Sequence, residues 1–348
     1  MTVLIIGASG IIGRAHLQNL TERSNLNIIA ASRRPETNLP SNVLPFPIDL
    51  MSNGEIDETV LKPVTTMVYC AYADAPTWEA QRAPNNLLFK AALDLVERAC
   101  PHLKHVTLLQ GTKAYGGHLG PFKMPARETD PRSMGPNFYY DQMDWLSEFQ
   151  KNKKWTWTIL RPQLVCGVAA GSPLNIIAAI GAYAAISREV GIPLRFPGGA
   201  ERIGEATDAR LIARAVEWAG NNEIASNQIY NITNGDVYIW HYVWPRVAEL
   251  FDMEYGSPQP MSLAKLMPEN AKVWSRIIEK HSLKSYSLAD LVPSWRFADY
   301  IFGYGQRPNP HHMSNIKIRK HGFADCIDTE EMILELLQEM QLLKVIPS

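Results

Sequence analysis

The first thirteen residues hold the feature that most constrains the fold. An apolar run, Val3–Ile6, leads straight into Gly7-Ala8-Ser9-Gly10-Ile11-Ile12-Gly13, and a helical pattern continues over Ile11–Thr21. Each glycine answers a different demand: Gly7 permits a tight turn, Gly10 lets the backbone approach a pyrophosphate, and Gly13 allows close packing of helix on strand. The free N–H groups and partial positive charge of the helix start then favour an anion. A glycine triplet alone says little, but one placed between a strand and a helix has the context that dinucleotide binding requires. Gly7, Ser9, Gly10, Ile11, Ile12 and Gly13 are therefore the expected phosphate-binding set.

The text that follows alternates. Asn27–Ala31, Val43–Pro47, Met67–Ala71, Val106–Gln110 and Thr156–Leu160 read as further buried strands, with helical patterns over Asn85–Ala99 and Tyr139–Lys151. Strands apolar on both faces and separated by helices imply a parallel sheet covered on both sides. The expected class is α/β, a Rossmann-type doubly wound parallel sheet with a smaller, mostly helical C-terminal substrate region. The expected division is residues 1–165 for the nucleotide-binding core and 166–348 for a substrate-binding or lid region. A returning strand and helix near 207–250 would interleave it with the core. Thr207–Ala219, Trp240–Phe251 and Glu330–Leu343 read as helices and Gln228–Ile232 as a strand. Leu174–Ile186 is apolar but shorter than the roughly 20 residues a bilayer takes, so it reads as a buried helix. Pro258–Pro310, rich in proline and aromatics, reads as a lid or pocket wall.

The second strand ends Ser32-Arg33-Arg34-Pro35. An NAD-selective site carries an acidic residue here for the ribose 2′-hydroxyl, and this chain has none. Ser32 can donate to a 2′-phosphate, and Arg33 and Arg34 can add charge-assisted bonds and stack on adenine. NADPH is the expected cofactor. Asp49 follows the third strand and could accept from the adenine amino group or cap a helix. Other residues at or near strand ends, Leu50, Ala71, Tyr72, Gln110 and Val165, complete the expected cofactor contacts.

The formal net charge is -1 and no lysine- or arginine-rich block occurs, which argues against nucleic acid or an anionic membrane as a partner. The four cysteines, Cys70, Cys100, Cys166 and Cys326, form no close pair and read as reduced thiols. With no basic leader at Met1–Ile6, a cytoplasmic location is the expectation. His311-His312 lacks a third ligand at metal spacing and reads as a solvated loop; no metal is expected. The Asn231-Ile232-Thr233 sequon carries no meaning in a cytosolic protein.

The GxxGxxG spacing resembles that of extended short-chain dehydrogenase/reductases, which carry a tyrosine and, four residues on, a lysine. Here Tyr139 is followed at that spacing by Met143 and Tyr140 by Asp144, so the lysine is absent. Another lysine, Lys113, stands just beyond the fifth strand, at the edge of the cofactor crevice. Gly111-Thr112-Lys113-Ala114-Tyr115, Gly120-Pro121-Phe122 and Asn137-Phe138-Tyr139-Tyr140 resemble the signatures of the progesterone 5β-reductase/iridoid synthase-like enone reductases. Further similarities are Ser32–Pro35, Arg161-Pro162, Ser187-Arg188-Glu189, Asn231–Val237 and His321-Gly322-Phe323, so the resemblance spans most of the chain. Ala114 stands where a histidine is usual, Gln110 replaces a threonine, Met143 an acidic residue, and the Lys113–Tyr139 spacer is short. Ala114 and the spacer bear on substrate choice more than on reaction type.

The resemblance implies 1,4-reduction of the C=C bond of an activated, apolar enone or enal by NADPH, in a protein that forms a homodimer. Tyr139 would hydrogen-bond the substrate carbonyl and Lys113 would lower its phenol pKa, together steadying the enolate. Adjacent helical residues point about 100° apart, so one of Tyr139 and Tyr140 faces the nicotinamide. Two other readings stay open. One is an NADP-dependent carbonyl reductase or epimerase. The other is a non-enzymatic NADP(H)-binding regulator, which needs neither Lys113 nor Tyr139.

Overall fold

The computed structural model describes residues 1–21, 26–35, 39–52, 56–305 and 311–348. In chain order the elements are β1 (Thr2–Ile6), α1 (Ile11–Thr21), β2 (Asn27–Ser32), β3 (Val43–Pro47), β4 (Thr66–Tyr69), α2 (Trp78–Ala99), β5 (His105–Leu109), α3 (Phe138–Gln150), β6 (Thr156–Pro162), β7 (Val165–Cys166) and α4 (Ile176–Glu189). They continue with β8 (Leu194–Arg195), β9 (Thr207–Asp208), α5 (Ala209–Asn221), β10 (Gln228–Ile232), α6 (Trp240–Leu250), β11 (Tyr255–Gly256), α7 (Leu263–Leu266), α8 (Ala271–His281), α9 (Leu288–Leu291), α10 (Trp295–Phe302), α11 (Ile316–Lys320) and α12 (Thr329–Leu342).

The chain divides into two compact units. The first comprises Met1–Gln163, Ala209–Thr233 and Met313–Asp325; the second comprises Leu164–Asp208, Asn234–His312 and Cys326–Ser348. The first unit thus takes back α5, β10 and α11, whereas α6, grouped in the sequence reading with the returning segment, belongs to the second.

Seven parallel strands form the sheet of the first unit, in the order β10-β6-β5-β4-β1-β2-β3. β1 pairs with β2 on one side and β4 on the other. The winding therefore reverses between β1 and β4, and a doubly wound sheet opens its ligand crevice at the carboxyl ends of those strands. Leu4, Ile29, Met67, Tyr69, Val106, Leu108 and Ile159 are buried together with Phe89, Leu93 and Val96 of α2, which is why strands this apolar form the centre of the sheet.

Helix α2 begins seven residues before the expected Asn85. Thr77 caps it, accepting from the Ala80 N–H at 3.2 Å, and Pro84 lies inside it. A proline usually marks a helix boundary. Here the helix carries on through it, anchored by the buried Asn85, whose Nδ2 donates to the Gln81 carbonyl at 2.8 Å.

In the second unit, Ile176–Ser187 of α4 are all buried, with α8, α10 and α12 packed around the helix. A Cβ on Gly181 would lie 2.7 Å from Ile346, so glycine is what admits that side chain. The segment expected to start a helix at Thr207 instead pairs as β9 with β7, and α5 starts at Ala209. Pro258–Pro310, read as a lid or wall, contains α7 to α10 among its described residues; residues 306–310 lie outside them. His311-His312 is not a plain solvated pair: the His312 Nδ1 lies 2.9 Å from the buried Glu205 carboxylate. Among the described residues, no helix is long and apolar enough to cross a membrane, and no cluster of three metal-donor side chains occurs.

Candidate active site

The glycine loop fits the crevice for two separable reasons. A Cβ on Gly7, whose φ is +89°, would lie 2.7 Å from the Ala71 nitrogen; one on Gly13 would lie 2.3 Å from the Gly7 oxygen and 2.7 Å from the Ala8 Cα. Those two glycines are required by the protein's own backbone. Gly10 is different: a Cβ there would meet only the Gly7 oxygen, at an ordinary 3.4 Å. Internal packing does not account for that glycine, whereas a pyrophosphate laid against the loop would. Helix α1 has no acidic residue in its first turn, so the N–H groups of Ile11, Ile12 and Gly13 face an anion without competition from one. Ser9 is exposed beside them. The residues present thus fit a dinucleotide.

A shallow hollow lined by Ala8, Ser9, Ala30, Ser32, Pro35 and Leu39 lies between this loop and the end of β2. Arg33 and Arg34 follow, both exposed and, among the described residues, in no ion pair. Asp49 is exposed and its Oδ1 accepts from the Met51 N–H at 3.0 Å, so one of its oxygens is spent on the local turn; Leu50 packs partly into the core. The backbone at Ala71 abuts Gly7. Tyr72 donates to Gln81 Oε1 at 2.6 Å, and Asn85 holds both backbone groups of Ala73, which together tie this loop to α2. Val165 opens β7 and belongs to the second unit, whereas the rest of this set lies in the first.

The two adjacent tyrosines separate cleanly. The Tyr140 hydroxyl donates to the Ala114 carbonyl (2.8 Å) and meets the Ser133 N–H and hydroxyl (2.8 and 2.9 Å), so it is buried and structural. Among the described residues the Tyr139 hydroxyl has no partner, and it hangs over Gly111, where a Cβ would lie 3.6 Å away. Asn137 fixes this arrangement. Its Oδ1 accepts from the Tyr139 N–H (3.0 Å), capping α3, while its Nδ2 donates to the Lys113 carbonyl (2.8 Å). Lys113 sits on a short 3-10 turn, Thr112–Tyr115, beyond β5.

The Lys113 ammonium lies over the Trp78 ring, 4.2 Å from the centroid. Burial, the dominant effect, raises the Tyr139 phenol above its ordinary pKa, and the cation that opposes the rise is Arg161. The phenol is therefore a protonated donor near neutrality. Lys113 itself is pushed down to about 8, chiefly by burial and partly offset by Asp74.

Trp78, the first residue of α2, organises the surroundings. Its ring lies 4.5 Å from Phe138, 4.6 Å from His118 and, edge on, 5.6 Å from Tyr139. Burial, and then the Lys113 charge, lower the pKa of His118, so it is neutral near pH 7. Gln110, expected at the cofactor, is buried and donates to the Tyr139 carbonyl at 2.7 Å. The sequence reading missed Trp78 and named Asn137 only as the first residue of the Asn137-Phe138-Tyr139-Tyr140 segment. Thr77 as a cap and Asn137 as a cap were the available signals, since a capping side chain announces the helix start next to it.

A sequence model of the PRISE-like Rossmann-fold domain matches residues 49–304. The chain belongs to the PRISE-like family. This PRISE-like protein is 30% identical over 378 residues to the short chain dehydrogenase gsfE of Penicillium aethiopicum, covering 99% of each chain. It is 31% identical over 371 residues to an (S)-8-oxocitronellyl enol synthase of Nepeta racemosa, covering 99% of this chain and 92% of the other. Among solved structures, UDP-glucose 4-epimerase of Thermotoga maritima superposes with a TM-score of 0.67 at 15% identity, covering 98% and 99% of the two chains, a likeness of fold. The PRISE-like protein is an oxidoreductase of the extended short-chain dehydrogenase/reductase class.

Proposed function

We propose that this protein is an NADPH-dependent reductase of the C=C bond in apolar enones or enals. The observation that carries the reading is the free Tyr139 hydroxyl over Gly111, held by Asn137 beside a lysine that comes from the β5 turn and not from α3. Bound NADPH supplies a hydride to the β-carbon. Tyr139 donates to the carbonyl oxygen and so meets the charge that gathers there, as a positioned donor does at an oxyanion. The Lys113 ammonium adds positive charge to the same aromatic enclosure, and Trp78, Phe138 and His118 exclude water from it. An enol is what results when hydride reaches the β-carbon of an enal and the oxygen keeps the proton, and several relatives are named as enol synthases. Ser32, Arg33 and Arg34 support NADPH over NADH, since three donors at the end of β2 suit a 2′-phosphate.

The test is NADPH consumption by the purified protein against a cyclic enone, a steroid enone, a monoterpene dialdehyde and a saturated ketone, with each product identified. A saturated carbonyl product, or the enol before it, from an unsaturated substrate is the expected result. Allylic alcohol from the enones, or turnover of the saturated ketone alone, would overturn it in favour of carbonyl reduction. Tight cofactor binding without turnover across the panel would point instead to a regulator.

A further inference from the structure

We infer that Arg161, at the carboxyl end of β6, is a positioning residue for Tyr139: through Gln110 it is tied to the tyrosine's backbone, and it brings a buried charge without a carboxylate partner to that side of the residue. This rests on the reading of Tyr139 as the carbonyl-binding donor. Arg161 is 4% exposed. Its Nε donates to Gln110 Oε1 (3.3 Å), its Nη1 to the Tyr115 hydroxyl (3.1 Å) and its Nη2 to Met143 Sδ (3.6 Å), and its plane covers the Tyr115 ring at 5.1 Å. Every one of these partners is neutral.

A buried arginine normally has a carboxylate beside it, because an uncompensated buried charge is costly. Among the described residues none lies within ion-pair distance of Arg161. Glu128 belongs to the same region, but its Oε1 accepts from the Asn231 N–H at 2.9 Å, while Asn231 Oδ1 takes the Tyr115 hydroxyl at 2.6 Å. The charge is thus aimed at the Tyr115 phenol. Gln110 completes the link, because the amide that accepts from Arg161 donates, from its other end, to the Tyr139 carbonyl. The ionisable groups around the pair are Tyr72 near Tyr139, Tyr115 and Lys317 beside Arg161, and Glu128 beyond them. Lys113 is turned onto Trp78. The Arg161 charge opposes the effect of burial on the Tyr139 phenol.

The test places a fluorinated tyrosine, whose phenol is more acidic, at position 139 of the full chain and follows its ionisation by fluorine NMR, with and without NADP+. Arg161→Gln keeps donors for Gln110 and Tyr115 but removes the charge, and is expected to raise the phenol pKa by about one unit, the lower end of what an opposite charge nearby contributes. Arg161→Lys should titrate close to the parent, and Lys113→Gln should move the phenol less than Arg161→Gln does. A phenol unmoved in Arg161→Gln, or moved as far in Arg161→Lys or further in Lys113→Gln, would overturn the inference. The titration uses no substrate, so it stands or fails independently of whether enones are reduced. In turnover, Arg161→Gln should lower kcat about tenfold, the equivalent of one pKa unit, with Arg161→Lys restoring most of it.

Discussion

Removing one oxygen from Tyr139 and from Tyr140 should have opposite consequences, though the two residues are neighbours. In Tyr140→Phe three hydrogen bonds disappear, each worth about 0.5–1.5 kcal/mol net. The Ala114 carbonyl is buried and loses a partner, which by itself costs about 1–3 kcal/mol, whereas the half-buried Ser133 groups can turn to water. The expected loss of stability is about 2–4 kcal/mol after allowing for that rehydration. Tyr139→Phe removes a hydroxyl with no partner among the described residues, so stability should stay within about 0.5 kcal/mol of the parent. Turnover reverses the order. Losing one oxyanion donor typically lowers kcat about 10²–10³-fold, and Tyr139→Phe should do so with NADPH affinity intact. The assay pairs urea unfolding, followed by fluorescence, with single-turnover NADPH oxidation on an enone at saturating cofactor. A Tyr139→Phe variant that unfolds as early as Tyr140→Phe, or that keeps full turnover, would refute the separation of roles.

Three further outcomes follow. Arg33→Ala combined with Arg34→Ala should weaken NADPH at least about tenfold more than NADH, since only NADPH offers the charge-assisted contacts to a 2′-phosphate; fluorescence titration showing equal losses would remove the arginines from that role. Gly13→Ala pushes a methyl against the Gly7 oxygen and Ala8 Cα, which are backbone and cannot swing aside, so it should cost about 1–3 kcal/mol of stability and most of the cofactor affinity; calorimetric binding near the parent value would contradict this. Lys113 has a folded pKa of about 8 against 10.5 for an unfolded lysine, so between those values the unfolded chain binds the additional proton. Stability attributable to this group therefore rises with pH through that window. Lys113→Met should show its greatest advantage over the parent below pH 8 and lose it as pH rises toward 10.5, in urea unfolding at stepped pH; an unchanging difference would argue that Lys113 is not desolvated.

The sequence disclosed the sheet of the first unit because its strands are buried on both faces, and a continuous apolar run survives any uncertainty over helix pattern. β3 and α1 end where the pattern ended. The text was weakest where one residue carries two meanings. The helical pattern started at Asn85, just past Pro84, and so left out the first two turns of α2 and with them Trp78. The two-residue strands β7, β8, β9 and β11 have no period to detect. Of the site, Tyr139 and Lys113 were legible as residue types at crevice positions. Which tyrosine was free was not legible, because Ser133 and Ala114, the partners of Tyr140, are recognisable only after folding. The same holds for the side of Tyr139 on which positive charge lies, since Arg161 approaches from a strand that the linear text leaves distant.

Asn137 has a consequence for how such sites diversify. In enzymes with tyrosine and lysine on one helix, the spacing of the pair is inherited from helical pitch, and an insertion between them destroys it. Here the two are carried by different elements, and a single amide clasps them, one end on the Lys113 carbonyl and the other on the Tyr139 N–H. The stretches of the 116–135 segment that lie between His118, Glu128 and Ser133 can therefore change in length or character while both groups keep their places. Leu119, Met124 and Met134, all exposed, belong to that segment. Variation at those exposed positions leaves the clasp intact, provided Asn137 remains and His118, Glu128 and Ser133 keep their contacts.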